Sequence, residues 1–192
     1  MWKENWEETK TNFVNWWKHQ GMVLGAWSAP ETSRPIHEIC EKPRDPDSVE
    51  ESYANPELRA RRNHWALSRS IFPGDVLPVS DTNIGPGSLA LFIGSEPGFS
   101  TETVWFKPSI RDHPDPESLP IFEFDANNRW WQVTEATLKA CVEMGRGKYL
   151  VGCPALVENI DLLSALRDPQ TFLIDLIEPP EWDEDRVRKI NQ

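Results

Sequence analysis

Short apolar runs recur along this chain between polar, proline-broken stretches and segments with helical spacing. In residues 1–20, Trp2, Trp6, Phe13, Trp16 and Trp17 fall near helical spacing ahead of Gly21, a natural residue just past a helix end. This predicts an amphipathic N-terminal helix that docks its aromatic face on the body. Met22-Val23-Leu24-Gly25-Ala26-Trp27 lacks alternation, as a strand covered on both faces of a parallel sheet does. Residues 29–54 are polar and interrupted by Pro30, Pro35, Pro43 and Pro46, a long loop. Asn55-Pro56 then opens a helix, Asn as N-cap and Pro in the first helical position. Its Leu58 and Trp65 share one face, and Arg59, Arg61 and Arg62 are expected on a solvated one.

Val76-Leu77-Pro78-Val79 and Tyr149-Leu150-Val151-Gly152 read as second and third short strands. A brief helix is predicted at 88–93 and a strand or hairpin arm at 103–107. A longer helix is predicted at 128–144, with Trp131, Leu138, Cys141 and Val142 placed for burial and Gly145 ending it. Helical pieces follow at 161–166, from Asp168-Pro169 and from Pro180-Glu181. Strands alternating with helices imply an α/β chain with a parallel sheet. The expected architecture is one domain, 1–192, holding about three βα units of a (β/α)8 TIM barrel behind the N-terminal helix.

The segment 74–106 concentrates the candidate chemistry. Ser80, Asp81 and Asn83 follow the second strand, Gly85-Pro86-Gly87 breaks the chain, and a helix resumes at Ser88. In α/β folds ligands sit where strand C-termini and helix N-termini converge. The plainer alternative is that Gly85 and Gly87 make a tight turn capped by Asp81. Trp27 would lie on the same rim, as would Glu158 beyond the third strand, a candidate general acid or base whose ordinary role is a charge at a helix start.

With 31 acidic against 20 basic residues the net charge is −11, which speaks against nucleic acid and anionic membrane surfaces. No apolar stretch reaches the ~20 residues of a membrane helix. The N-terminus lacks the apolar core of a secretory signal. Cys40, Cys141 and Cys153 form no framework, in keeping with a reducing, cytoplasmic setting. His37 and Cys40 are metal-capable but lack the further ligands a zinc site needs, so no metal is assigned, and Cys153 reads as inert. Ten tryptophans leave cores, interfaces and stacking on ligands open as explanations.

The ordered segments resemble the uroporphyrinogen decarboxylase-like family. The resemblance rests on Gly74-Asp75-Val76-Leu77-Pro78 running into Val79-Ser80-Asp81, on Asn83-Ile84-Gly85-Pro86-Gly87-Ser88, and on Thr103-Val104-Trp105-Phe106-Lys107-Pro108. It continues through Asn128-Arg129-Trp130-Trp131, Val151-Gly152-Cys153-Pro154, the 160–167 helix and Pro180-Glu181-Trp182. It implies a (β/α)8 barrel of which this chain is the N-terminal half. It gives Asp81 the role of the aspartate that holds substrate N–H groups. Trp27 and Asn83 would form part of the pocket rim beside it, Gly85 and Gly87 would shape the backbone around the ligand, and Trp105 is a further substrate-binding candidate. The arginine-bearing segment of true decarboxylases is replaced by Trp27-Ser28-Ala29-Pro30, and a tyrosine expected near Ile160 is missing. The resemblance therefore points to the methyltransferase branch, which moves methyl groups among corrinoid proteins, small methylated compounds and thiols. Zinc and a corrinoid partner would belong to a C-terminal half, with no cofactor in this chain.

Two other readings stand beside it: a genuine tetrapyrrole decarboxylase, and a non-catalytic subunit. A few parallel strands leave an open edge, so the subunit reading expects a homo-oligomer or a complementing half-barrel chain. A Trp-lined carbohydrate-binding β-sandwich is disfavoured by the helix starts at Asn55, Asp168 and Pro180.

Overall fold

The computed structural model describes residues 1–25, 29–113, 123–157 and 159–177. They form a mixed helix-and-strand chain with small sheets and, among the described residues, no closed barrel. Two compact units emerge. The first comprises Met1–Pro46, Asn55–Thr82 and Ala136–Cys153; the second comprises Asp47–Ala54, Asn83–Glu135 and the described residues from Pro154 onward.

In the first unit, helix α1 (Trp6–Trp17) and α3 (Pro56–Ser68) accompany a parallel strand pair. Asn55 caps α3 as its sequence predicts, its side chain accepting from the Leu58 amide at 3.0 Å. An Asn55→Ala exchange is expected to lower stability by about 1 kcal/mol, measured by urea unfolding; no change would mean that this cap is dispensable. Strand β1 (Val79–Ser80) pairs with β4 (Leu150–Val151) in the register Val79 to Leu150 and Ser80 to Val151. Leu67, Phe72, Val76 and Tyr149 form the core here, joined by Trp2 and Ala29.

Several expectations are corrected in this unit. Residues 22–25 are not a strand: the Leu24 main chain is taken by Asp75, whose carboxylate accepts the Leu24 amide at 2.9 Å and whose own amide donates to the Leu24 carbonyl. Met22 and Leu24 are left exposed. The remainder of that run, Ala26 and Trp27, lies outside the described residues. The second strand is shorter than 76–79 because Pro73-Gly74 turns the chain, with Val76 N–H on the Pro73 carbonyl. Pro78 contributes only its carbonyl, to Leu150. The parallel sheet thus has two strands among the described residues, not three.

The aromatic face of α1 is not docked throughout: Trp16 and Trp17 are exposed, and the chain already reverses at His19 (φ 59). The tryptophan packed against this core is instead Trp2, half-buried and ahead of the helix. Arg59, expected in solvent, is only 7% exposed. The segment from Pro30 is laid along the end of α3, with Thr32 N–H on Arg69, and Ile36 and His37 N–H on Ser68.

The second unit holds α2 (Val49–Ala54), α4 (Ser88–Phe92), an antiparallel hairpin, α6 (Asn159–Arg167) and α7 (Pro169–Asp175). The hairpin strands are β2 (Glu96–Phe99) and β3 (Val104–Lys107). Its loop is shaped by Ser100, whose hydroxyl accepts from the amides of Glu102 and Thr103. Asp168 caps α7, accepting from Gln170 and Thr171 ahead of the predicted Pro169 start. One core joins Ala90, Ile110, Leu162 and Leu166; another joins Ile84, Leu91, Phe92 and Trp130. Helix α5 (Arg129–Gly145) is capped by Asn128 and ends at Gly145 as expected. Its Trp130 is deeply buried, whereas Val142 is exposed, contrary to the reading that placed Val142 for burial. The helix start anticipated at Pro180 lies outside the described residues.

Candidate functional site

The strongest candidate lies in the first unit, at the carboxyl end of the parallel pair. Asp81 follows β1 directly, and Gly152-Cys153 follows β4 beside it. Strand β4 continues its pairing one step further, with the Gly152 amide on the Ser80 carbonyl at 3.0 Å. A Cβ at Gly152 would stand 2.9 Å from that oxygen, so the close approach of the two backbones requires glycine.

Asp81 is held by two residues four apart on α3, a spacing that puts both on one helix face. Asn63 clamps the Asp81 main chain from both sides: its Oδ1 accepts the Asp81 amide at 3.0 Å and its Nδ2 donates to the Asp81 carbonyl at 2.7 Å. Arg59 places Nη2 3.8 Å from the Asp81 carboxylate and donates from Nη1 to the Thr82 carbonyl at 3.3 Å. The Thr82 hydroxyl in turn donates to the Gly152 carbonyl at 2.7 Å, tying β1 to β4 past their last ladder bond. The contrast in exposure matters: the Arg59 side chain is 7% exposed, the Asp81 side chain 67%. A buried cation backs a carboxylate that faces solvent with its backbone locked.

Behind this rim, Cys141 is fully buried, and burial pushes its thiol pKa up. It therefore suits packing better than nucleophilic chemistry. Cys153 is exposed. His37 and Cys40 go to separate partners, the Ser70 carbonyl and the Ser68 hydroxyl. Among the described residues no group of three metal-binding side chains occurs.

The other candidates disperse. Asn83, in the second unit, accepts the Ala155 amide on its Oδ1 at 2.6 Å. Gly85, at φ +146, and Gly87 close onto Phe106, where a Cβ would come within 3.1 Å and 2.8 Å of the ring, so packing accounts for both. Trp105 is half-exposed on the hairpin, its indole lying over Gly98. Trp27 and Glu158 lie outside the described residues. The sequence reading did not identify Arg59 and Asn63. Their four-residue spacing behind a legible N-cap was the available signal, masked by the run of neighbouring arginines.

The site can accept N–H donors or a cation on Asp81, while Arg59 keeps the carboxylate oriented and offsets part of its charge. No helix among the described residues is long and apolar enough to cross a membrane. In comparisons with known proteins, no family model, no curated protein and no solved structure matches the chain.

Proposed function

We propose that this chain carries early βα units of a uroporphyrinogen decarboxylase-like barrel of the methyl-transferring branch, with Asp81 as the carboxylate that holds a small methylated substrate. One observation carries the reading: a parallel β1–β4 pair whose carboxyl end presents an exposed aspartate, fixed by Asn63 through its main chain and backed by Arg59. Ligands of α/β sheets are bound at that end of the strands. The acidic chain favours a neutral or cationic ligand over an anionic one. A substrate N–H or methylammonium group would sit against Asp81. The methyl acceptor, a corrinoid or a thiol, would come from outside the described residues.

Calorimetric titration with methylamines and with methoxylated aromatics tests this. Binding by one of the two classes is expected, weakened about tenfold or more in Asp81→Asn, which keeps the shape and removes the charge. No binding of either class to the unaltered protein would overturn the assignment.

Arg59 favours a second reading. It is a cation at the strand ends, whereas Trp27-Ser28-Ala29-Pro30 has none, and a carboxylated substrate of the tetrapyrrole decarboxylase type would reach it by displacing Asp81 or the Thr82 carbonyl. A Soret-band shift on adding uroporphyrin, lost in Arg59→Gln, would select that reading over the first. The non-catalytic subunit reading predicts instead a dimer by light scattering and no small-molecule binding.

A further inference from the structure

In the first unit, Trp2 occupies a slot built from two histidines, a tyrosine and a lysine. Its indole stacks on His37 with centroids 5.3 Å apart and planes 10° from parallel. It meets His64 at 5.1 Å and Tyr149 at 5.2 Å, both tilted, and the Lys148 ammonium lies 5.8 Å from the ring. His37 is itself stacked on Phe72. The Trp2 amide donates to the Lys148 carbonyl at 2.7 Å. The next residue, Lys3, is 2% exposed and donates from Nζ to the carbonyls of Phe72 and Gly74. The N-terminal segment is pinned at two adjacent points, and only the first contains titratable rings.

His64 is 7% exposed, with Nδ1 3.2 Å from the Tyr149 hydroxyl and Nε2 3.6 Å from a Glu38 oxygen. The other Glu38 oxygen holds Lys148 Nζ at 2.6 Å. Glu38 thus faces His64 from the loop before α2, and Lys148 and Tyr149 face it from the turn after α5. His37 stands across the indole, with Nε2 2.9 Å from the Ser70 carbonyl.

With its hydrogen on Nε2, facing the Glu38 oxygen 3.6 Å away, a neutral His64 accepts the Tyr149 hydroxyl on Nδ1. Adding a proton puts a hydrogen on Nδ1. The Tyr149 hydroxyl must then turn to accept, and it loses its own acceptor at a residue 5% exposed. The new charge also sits beside the Lys148 ammonium in a place with little water. Glu38 pulls the other way but already serves Lys148.

We infer that Trp2 is an acid-sensitive latch: neutral His64 keeps the indole in its slot, and protonation of His64 expels it, uncovering His37, His64 and Tyr149 while Lys3 holds α1 in place. Burial first, and Lys148 second, hold the His64 pKa below its usual 6.5, with Glu38 opposing them. The sign follows: a depressed folded-state value means that docking is fully favoured above 6.5 and is lost as the pH falls through that lower value. The carboxyls of Glu38, paired with Lys148, and Asp75, bonded to the Leu24 amide, are themselves held below their usual range and titrate later.

The test is fluorine NMR of the protein labelled with 5-fluorotryptophan, the Trp2 signal assigned by its absence in Trp2→Phe. From about pH 7.5 downward, that signal should move to a solvent-exposed position with a midpoint below 6.5 and ahead of the carboxylate range, with far-UV circular dichroism unchanged. His64→Gln should abolish the movement in this window. In the unaltered protein, the His64 ring proton should titrate with the same midpoint. A Trp2 signal that stays fixed until the carboxylate range overturns the latch, as does a midpoint unlike that of His64 or a transition that coincides with loss of helix signal.

Discussion

Arg167→Met is expected to lower stability by about 2–3 kcal/mol, the loss of a charge-assisted network that is mostly but not wholly removed from water. The Arg167 side chain is 11% exposed; its Nε donates to Asp175 at 2.7 Å, and the Asp175 side chain is 14% exposed. Nη1 is directed at the carbonyls of Ile110, Arg111 and His113, at 2.9, 3.0 and 2.9 Å. One guanidinium therefore gathers the segment after β3 and the end of α7 onto the end of α6. Methionine keeps the stem and its packing but leaves a carboxylate and several carbonyls short of a donor. Urea unfolding followed by circular dichroism reads the effect. Arg167→Lys should recover only part of it, since an ammonium cannot fork to these acceptors. A loss below about 1 kcal/mol would show that water replaces the guanidinium freely.

Trp130→Ala is expected to cost about 3–5 kcal/mol by the same measurement. Trp130 is 2% exposed at the first turn of α5 and shares a core with Ile84, Leu91 and Phe92. Its ring meets Phe99 at 5.6 Å, and Arg129 lies over its face at 4.5 Å. Its Nε1 donates to Glu96 at 3.0 Å, on strand β2. Alanine removes the indole from a site where Asn128 holds the backbone, accepting the amides of Trp130 and Trp131, so the vacated space cannot easily close. Trp130→Phe should fall between, keeping the stacking surface and losing the bond to Glu96. If phenylalanine proved as damaging as alanine, the hydrogen bond rather than the packed volume would be the main contribution.

What was legible in the sequence was what is decided locally. The Asn55-Pro56 and Asp168-Pro169 helix starts, the turn before Ser88, the 129–145 helix with its terminal glycine, and the hairpin arm after Thr103 each depend on neighbours a few residues away. What was missed depends on distant partners. Leu24 is not in a strand because Asp75, far along the chain, takes both of its main-chain groups. Arg59 is buried because the chain returns at Thr82 and Asp81 to meet it. At the candidate site the aspartate at a strand end could be read directly, from an apolar run ending in small polar residues. The arginine and asparagine that hold it could not, because helix α3 and strand β1 meet only in three dimensions.

The hairpin carries a further consequence. Gly98 and Trp105 are cross-strand partners, and a Cβ at Gly98 would overlap the indole. The ring occupies the room that the missing side chain vacates. A side chain therefore cannot enter position 98 while the indole stays at 105. In homologous chains, a larger residue at the first place should arrive together with a smaller one at the second, and the pair should be inherited as a single choice.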